Sequence, residues 1–277
     1  MVISLLALSL FACGETSPET LVEELRVVAS ISSPPEVRPS DSFEYTTYIA
    51  NPNESEVEVL TWVCTNVGEG CLEAVGGTAS VARDVVSGAA PSLTRTLGVS
   101  PALSGILPET GPITATQVWT LLCEKGTCPL IEDVGEISGF DAWPTTIQDS
   151  LSNPLDWMAE LPTTGTSLAY QLVTTSLSET PHENPTIMAS PENPTFLTKD
   201  EAFSLEFQVR GALTEDARLY NYISAGGFEM TDTFVTPDEC TFLNGVAPEK
   251  EDQVTIWVVL LDGLGGVDVW STQMEVR

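Results

Sequence analysis

From residue 23 onward the chain is written in short runs of alternating apolar and polar residues, separated by clusters of Gly, Pro, Asn and Asp. A period of two puts successive side chains on opposite faces of an extended backbone, so the pattern predicts antiparallel β-sheets. Residues 203–210 are the clearest case: Phe203, Leu205, Phe207 and Val209 share one face, and Ser204, Glu206, Gln208 and Arg210 the other. Such a strand lies with one side in water. Residues 254–261 are apolar on both faces and predict a central strand. Asp262-Gly263-Leu264-Gly265-Gly266 then reads as a tight hairpin turn, and residues 267–276 as the closing strand.

The pattern repeats weakly between the two halves. Phe43 is followed nineteen residues later by Trp62, and Phe203 nineteen residues later by Tyr222. A later strand in each half carries Gln-Val and Trp, at 117–119 and at 253–257. Trp62 and Trp119 lie 57 residues apart, Tyr222 and Trp257 only 35, so the first half carries an insertion of about twenty residues. Residues 178–185, with two prolines and no apolar side chain, read as an exposed linker. The fold class expected is all-β: two Ig-like antiparallel β-sandwich domains in tandem, 23–177 and 186–277, the first with an inserted loop and helix segment. Trp62 or Tyr222, on the third strand of each, is expected between the sheets as the core anchor. Residues 149–160, with Pro154 in the first turn, predict a helix folded over one end of the first sandwich. Trp157 within it and Trp143 before it are either ligand contacts or packing against that end.

The first thirteen residues are an apolar run too short to span a bilayer but long enough for a signal-peptide core. It ends Leu10-Phe11-Ala12-Cys13, which resembles the lipobox of bacterial lipoproteins, where a small residue precedes an acylated cysteine. No Lys or Arg precedes the apolar core, a departure from that pattern. The resemblance implies a signal peptide at 1–12, lipidation of Cys13, a tether over 13–22 and membrane attachment through the lipid. Gly14 after the cysteine, rather than Asp, implies the bacterial outer membrane or cell surface. Each buried acyl CH2 supplies about 0.8 kcal/mol of membrane affinity.

In the first half, residues 25–30, 34–39 and Thr61-Trp62-Val63-Cys64 resemble the Ig-like modules of lipoproteins from predatory and fruiting proteobacteria. Residues 222–228 and 258–266 are similar to polycystic-kidney-disease-type Ig-like domains, in which an aromatic strand, a Gly-Gly turn and a D-G-x-G-G hairpin recur. These motifs specify turns and cores, so the resemblance implies architecture and no ligand.

Charge narrows the partners. The 277 residues carry 40 Asp plus Glu against 10 Lys plus Arg, a formal charge of −30. Nucleic acid is bound by neutralising phosphates with Lys and Arg, and an anionic bilayer surface attracts only basic patches, so both are excluded as direct charge partners. A single imidazole, His182, leaves no His cluster for zinc and makes any Ser-His-Asp triad depend on one linker residue. No G-x-S-x-G elbow, P-loop, dinucleotide fingerprint or EF-hand loop occurs, and no cofactor or catalytic residue is assigned.

Besides Cys13 there are five cysteines. Cys64 with Cys71, and Cys123 with Cys128, flank short loops, and local pairing in an oxidising compartment is expected; reduced thiols or a metal site is the alternative. Cys240 is left over, expected to be inert and partly buried, with a pKa raised by the neighbouring Asp238 and Glu239. Structural calcium is the sharper metal candidate, through Glu229, Asp232, Asp238 and Glu239 or through Asp262 and Asp268; the plain alternative is that Asp262 caps its own turn and the rest are solvated. The functional expectation is a non-enzymatic interaction or adhesion module on a lipid tether. A structural component of an envelope or secretion assembly and a carbohydrate-binding accessory protein are the alternatives.

Overall fold

The computed structural model describes residues 20–65, 81–99, 105, 113–127, 165–178 and 181–277. Every regular element among them is a β-strand. The first half supplies β1 (Arg26–Ser33), β2 (Glu36–Val37), β3 (Ser42–Ala50), β4 (Val57–Thr65), β5 (Val81–Val86), β6 (Ser92–Gly98), β7 (Ile113–Glu124) and β8 (Thr166–Thr175). The second supplies β9 (Thr186–Ala189), β10 (Phe196–Leu197), β11 (Ala202–Arg210), β12 (Arg218–Ile223), β13 (Gly227–Phe228), β14 (Asp232–Phe234), β15 (Cys240–Val246), β16 (Gln253–Leu261) and β17 (Val267–Val276). The predicted helix at 149–160, with Trp143 and Trp157, lies outside the described residues.

The two halves share one topology, except that the second adds β13 at the edge of its small sheet. In the first, β1-β3-β6 faces β2-β8-β7-β4-β5; in the second, β13-β15-β11-β9 faces β10-β17-β16-β12-β14. Each five-stranded sheet carries a short parallel strand at one edge, β2 on β8 and β10 on β17, with the remaining pairs antiparallel. This is the strand order of an Ig-like sandwich, twice over. The sequence landmarks fall on equivalent strands: Trp62 pairs with Trp119 across β4 and β7, and Tyr222 with Trp257 across β12 and β16.

Alternation sorts the side chains as the sequence pattern requires. Leu205, Phe207 and Val209 point inward from β11 and meet Leu219, Ile223, Ile256, Val258 and Leu260 from the facing sheet. In the first sandwich Phe43, Tyr45, Leu97, Val63, Val118 and Val173 form the equivalent layer.

One expectation is corrected in both domains. Trp62 and Tyr222 are not between the sheets. In β4 the inward set is Val57, Val59 and Val63, which leaves Leu60 and Trp62 on the outer face by parity. Trp62 is fully buried there, stacked on Trp119 with ring centroids 6.0 Å apart, and Trp119 in turn meets Tyr170 at 4.8 Å. Tyr222 likewise faces outward from β12, because Leu219, Asn221 and Ile223 hold the inward positions.

Candidate functional site: the joint between the sandwiches

The outer face of β12, β16 and β17 carries an apolar patch of its own. Trp257, Val259 and Val267 are buried on it, with Tyr220, Tyr222 and Val269 around them. What covers them is the outer face of the first sandwich's small sheet, through Val28, Ala29 and Ile31 of β1 and Tyr48 and Ala50 of β3. The sandwiches therefore pack face to face, and residues 254–261 are apolar on both faces because they belong to two cores. Arg26 from the first sandwich lies 5.1 Å above the Tyr222 ring. Burial pushes the phenols of Tyr48 and Tyr222 above their ordinary value; Asp268 adds to the rise at Tyr48, while Arg26 opposes it at Tyr222.

Residues 20–22 are built into this joint. Leu21 makes a parallel bridge to Ile223, Val22 N donates to Ile223 O at 2.9 Å, and Phe228 N donates to Thr20 Oγ1 at 3.1 Å. Thr20 and Val22 are buried there, and Leu25 then enters the first sandwich's core beside Ile49, Val57 and Leu122. The last residues of the expected tether thus belong to the folded body and contact the second sandwich, although the chain runs from them into the first.

The linker is also corrected. Far from a free, exposed segment, residues 182–185 are fixed to both sandwiches. Nε2 of His182 lies 2.5 Å from Oδ2 of Asp262, whose side chain is fully buried. His182 N donates to Glu36 Oε2 at 3.0 Å. Asn184 Nδ2 donates to Ser32 O at 2.8 Å in the first sandwich, and its Oδ1 accepts from Val267 N at 2.9 Å in the second. Asp262 also accepts from the amides of Leu264 (2.6 Å) and Gly266 (2.9 Å) through Oδ1. The hairpin aspartate is therefore a turn cap, as its plain reading held, and in addition the anchor for the only imidazole. Gly266 is required by close approach, since a Cβ there would overlap Asp262 Oδ2 and press on Pro185.

This arrangement holds two of the three parts of a hydrolytic triad, but among the described residues no hydroxyl or thiol is hydrogen-bonded to the imidazole. Beside the joint a cleft of about 550 Å3 opens between the sandwiches, floored by Val22, Ala50 and Trp257. Its rim sets Glu54, Glu251 and Asp252 against Lys250, so it favours neutral polar or cationic guests over anions. Asp252 is paired with Lys199 at 2.8 Å, and that contact lowers its pKa.

The predicted site residues are placed as follows. Cys13, Cys71 and Cys128 lie outside the described residues. Cys64 stands in register with Gln117, and Cys123 with Glu58, at opposite ends of the β4–β7 ladder. Six register steps at about 3.3 Å each put them far beyond disulfide reach. Cys123 is buried and disulfide-bonded. Cys240 is free and exposed, not partly buried, because β15 turns its first residue to solvent. Its thiol pKa is raised as expected, but by a hydrogen bond to Glu206 on the neighbouring strand, with burial second, and not by Asp238 or Glu239.

Of the acids considered for calcium, Asp232 pairs with Arg218, Asp238 with Arg210, and Asp268 accepts from the amides of Ile187 and Val269. Glu229 and Glu239 are exposed. Among the described residues no group of three or more His, Cys, Asp or Glu side chains is placed to hold a metal. His182 and Asn184 are the joint residues that the sequence pattern missed. The Asp-Gly-x-Gly-Gly turn was a visible signal for one partner, but nothing local marks a linker residue as the other, 80 positions away.

No family model matches the chain, and no curated protein matches it. Among solved structures, it is similar to the D0-D1 domain of intimin, at 9% identity over 90% of this chain and 98% of that one, with a TM-score of 0.26. It is similar to the tandem Ig repeats of Dlar at 11% identity over 92% and 96%, TM-score 0.27. A conjugate transposon protein of Bacteroides vulgatus matches at 13% identity over 36% of this chain and 90% of that one, TM-score 0.25. At these TM-scores the likenesses carry no argument, and the assignment of two Ig-like sandwiches rests on the strand order above.

Proposed function

We propose that the protein is a non-enzymatic interaction module of the bacterial cell envelope, held at the outer membrane or cell surface by lipid on Cys13 and presented as one stiff two-sandwich block. The observation that carries this is the seating of residues 20–22 in the joint. Six residues separate Cys13 from Thr20, and a fully extended chain of that length spans at most about 20–25 Å. An acylated Cys13 would therefore hold the joint near the bilayer, while a charge of −30 keeps the body off anionic headgroups. A rigid pair of sandwiches then offers its sheet edges and far loops to partners.

Export to an oxidising compartment fits the buried half-cystine at Cys123. We assign its partner as Cys128, across the turn in which Thr127 N donates to Glu124 O at 2.9 Å, and Cys71 as the partner of Cys64. The likeness of the 258–266 hairpin to polycystic-kidney-disease-type modules belongs to the same proposal.

The test is mass analysis of the mature N-terminus from membranes, with Cys13→Ala beside it. A diacylglyceryl cysteine at position 13, and release of the variant into the soluble fraction, is the expected result. An unmodified Cys13 in a chain that keeps residues 1–12 would overturn the envelope assignment.

A further inference from the structure

We propose that the open edge of the second sandwich, between β13, β14 and β15, is a docking site for a lysine side chain of a partner protein. The carrying feature is Asn221. It is 1% exposed on the inward face of β12, its Nδ2 donates to Met230 O at 2.6 Å, and its Oδ1 accepts no hydrogen bond from the described residues. A buried amide oxygen left without a protein donor offers an acceptor to an incoming N–H group.

Asn221 lines a pocket of about 30 Å3 together with Thr233 and Leu243 from within, and Glu229, Met230 and Phe242 at its mouth. That volume admits one hydrogen-bonding head group about the size of a water, and is far below the 300–1,000 Å3 of a small-molecule site. A planar guanidinium is too large for it; an ammonium fits. Met230 is 60% exposed at the mouth, an apolar side chain where an aliphatic stem would lie.

Charge selects the same occupant. Seven of the ten Lys and Arg residues are already in ion pairs, whereas Glu229 at the pocket mouth has no ion pair among the described residues. An ammonium at this position donates to Asn221 Oδ1, pairs with Glu229 and rests its stem on Met230. A second copy of this chain is the poorer occupant, because two bodies of charge −30 repel.

The site deepens the interaction reading by naming a surface and its partner chemistry. Its test is an NMR titration of the 15N-labelled full chain with n-butylammonium, the lysine side chain alone, against n-butanol and n-butylguanidinium. The expected result is saturable shifts of the Asn221 side-chain amide and of the Glu229, Met230 and Phe242 amides with n-butylammonium only. In Glu229→Gln, an exposed change that leaves the core intact, affinity should fall about fivefold. Equal shifts with n-butanol, no saturable shift with n-butylammonium, or unchanged affinity in Glu229→Gln would each overturn it. So would shifts of these signals on concentrating the protein alone, which would give the site to a second copy. Acylation of Cys13 is not read in this titration, so either proposal can fail without the other.

Discussion

The two sandwiches repeat one strand order, yet they treat the same hairpin and the same sheet face differently. In the second, only 262–266 separate β16 from β17, and Asp262 ties that turn to the linker. In the first, 125–165 separate the equivalent β7 and β8. The five-stranded sheet of each carries an apolar outer face: Trp62, Trp119 and Leu121 in the first, Trp257, Val259 and Val267 in the second. The second is covered by the first sandwich's β1 and β3, whereas the first lies on the side away from the joint. A duplicated domain whose main sheet is apolar on both faces cannot stand alone in water. The joint is the second copy's solution, and it makes a block out of what would otherwise be beads on a string.

This contrast can be broken at graded cost. Trp257→Ala removes the largest side chain of the joint and should destabilise the protein by about 3–5 kcal/mol, read as a fall in the urea midpoint, with new exchange of β1 and β16 amides. A smaller effect, about 1–3 kcal/mol, is expected for His182→Ala, which leaves Asp262 Oδ2 buried without its partner. Gly266→Ala should reproduce that loss by displacing the carboxylate, whereas Gly98→Ala, in open space and without a positive φ, should leave the joint unchanged.

Alkaline pH should loosen the joint next. Tyr48 and Tyr222 hold their protons more tightly folded than unfolded, so their contribution is present below about pH 10 and is lost as pH rises through the folded values. Ionised Tyr48 would also face Asp268. Tyrosine absorbance and amide exchange followed together should show joint opening with phenolate formation. Tyr45, buried in the first core, should hold its proton as well, and its ionisation should accompany unfolding of that sandwich.

The smallest effect concerns no packing at all. The Cys240 thiol donates to Glu206, which favours the neutral thiol. Alkylation at pH 8 should therefore be slower than for a free cysteine, and Glu206→Gln should speed it. An unchanged rate would remove Glu206 as the cause.

Much of the architecture was legible because it is local. Period-two alternation gave β11, and the doubly apolar run gave the central position of β16. The spacing from Phe43 to Trp62 and from Phe203 to Tyr222 gave the duplicated order. Parity then decided against Trp62 and Tyr222 as core anchors, because their strands carry large side chains on both faces and the aromatic alone does not say which face is inner. The joint was not legible. A linker of Pro, His, Glu and Asn reads as solvated until its partners are known, and Asp262, Ser32 and Val267 are distant in sequence. Cys240 was misplaced for the same reason: its controlling neighbour, Glu206, is a cross-strand residue and not an adjacent one.

The central claim is that the two sandwiches move as one body through the joint. Backbone 15N relaxation measures this most directly. A single rotational correlation time for the strands of both sandwiches, split into two by Trp257→Ala, is the predicted result. Two independent correlation times in the unaltered protein would contradict the joint, and with it the picture of a stiff block.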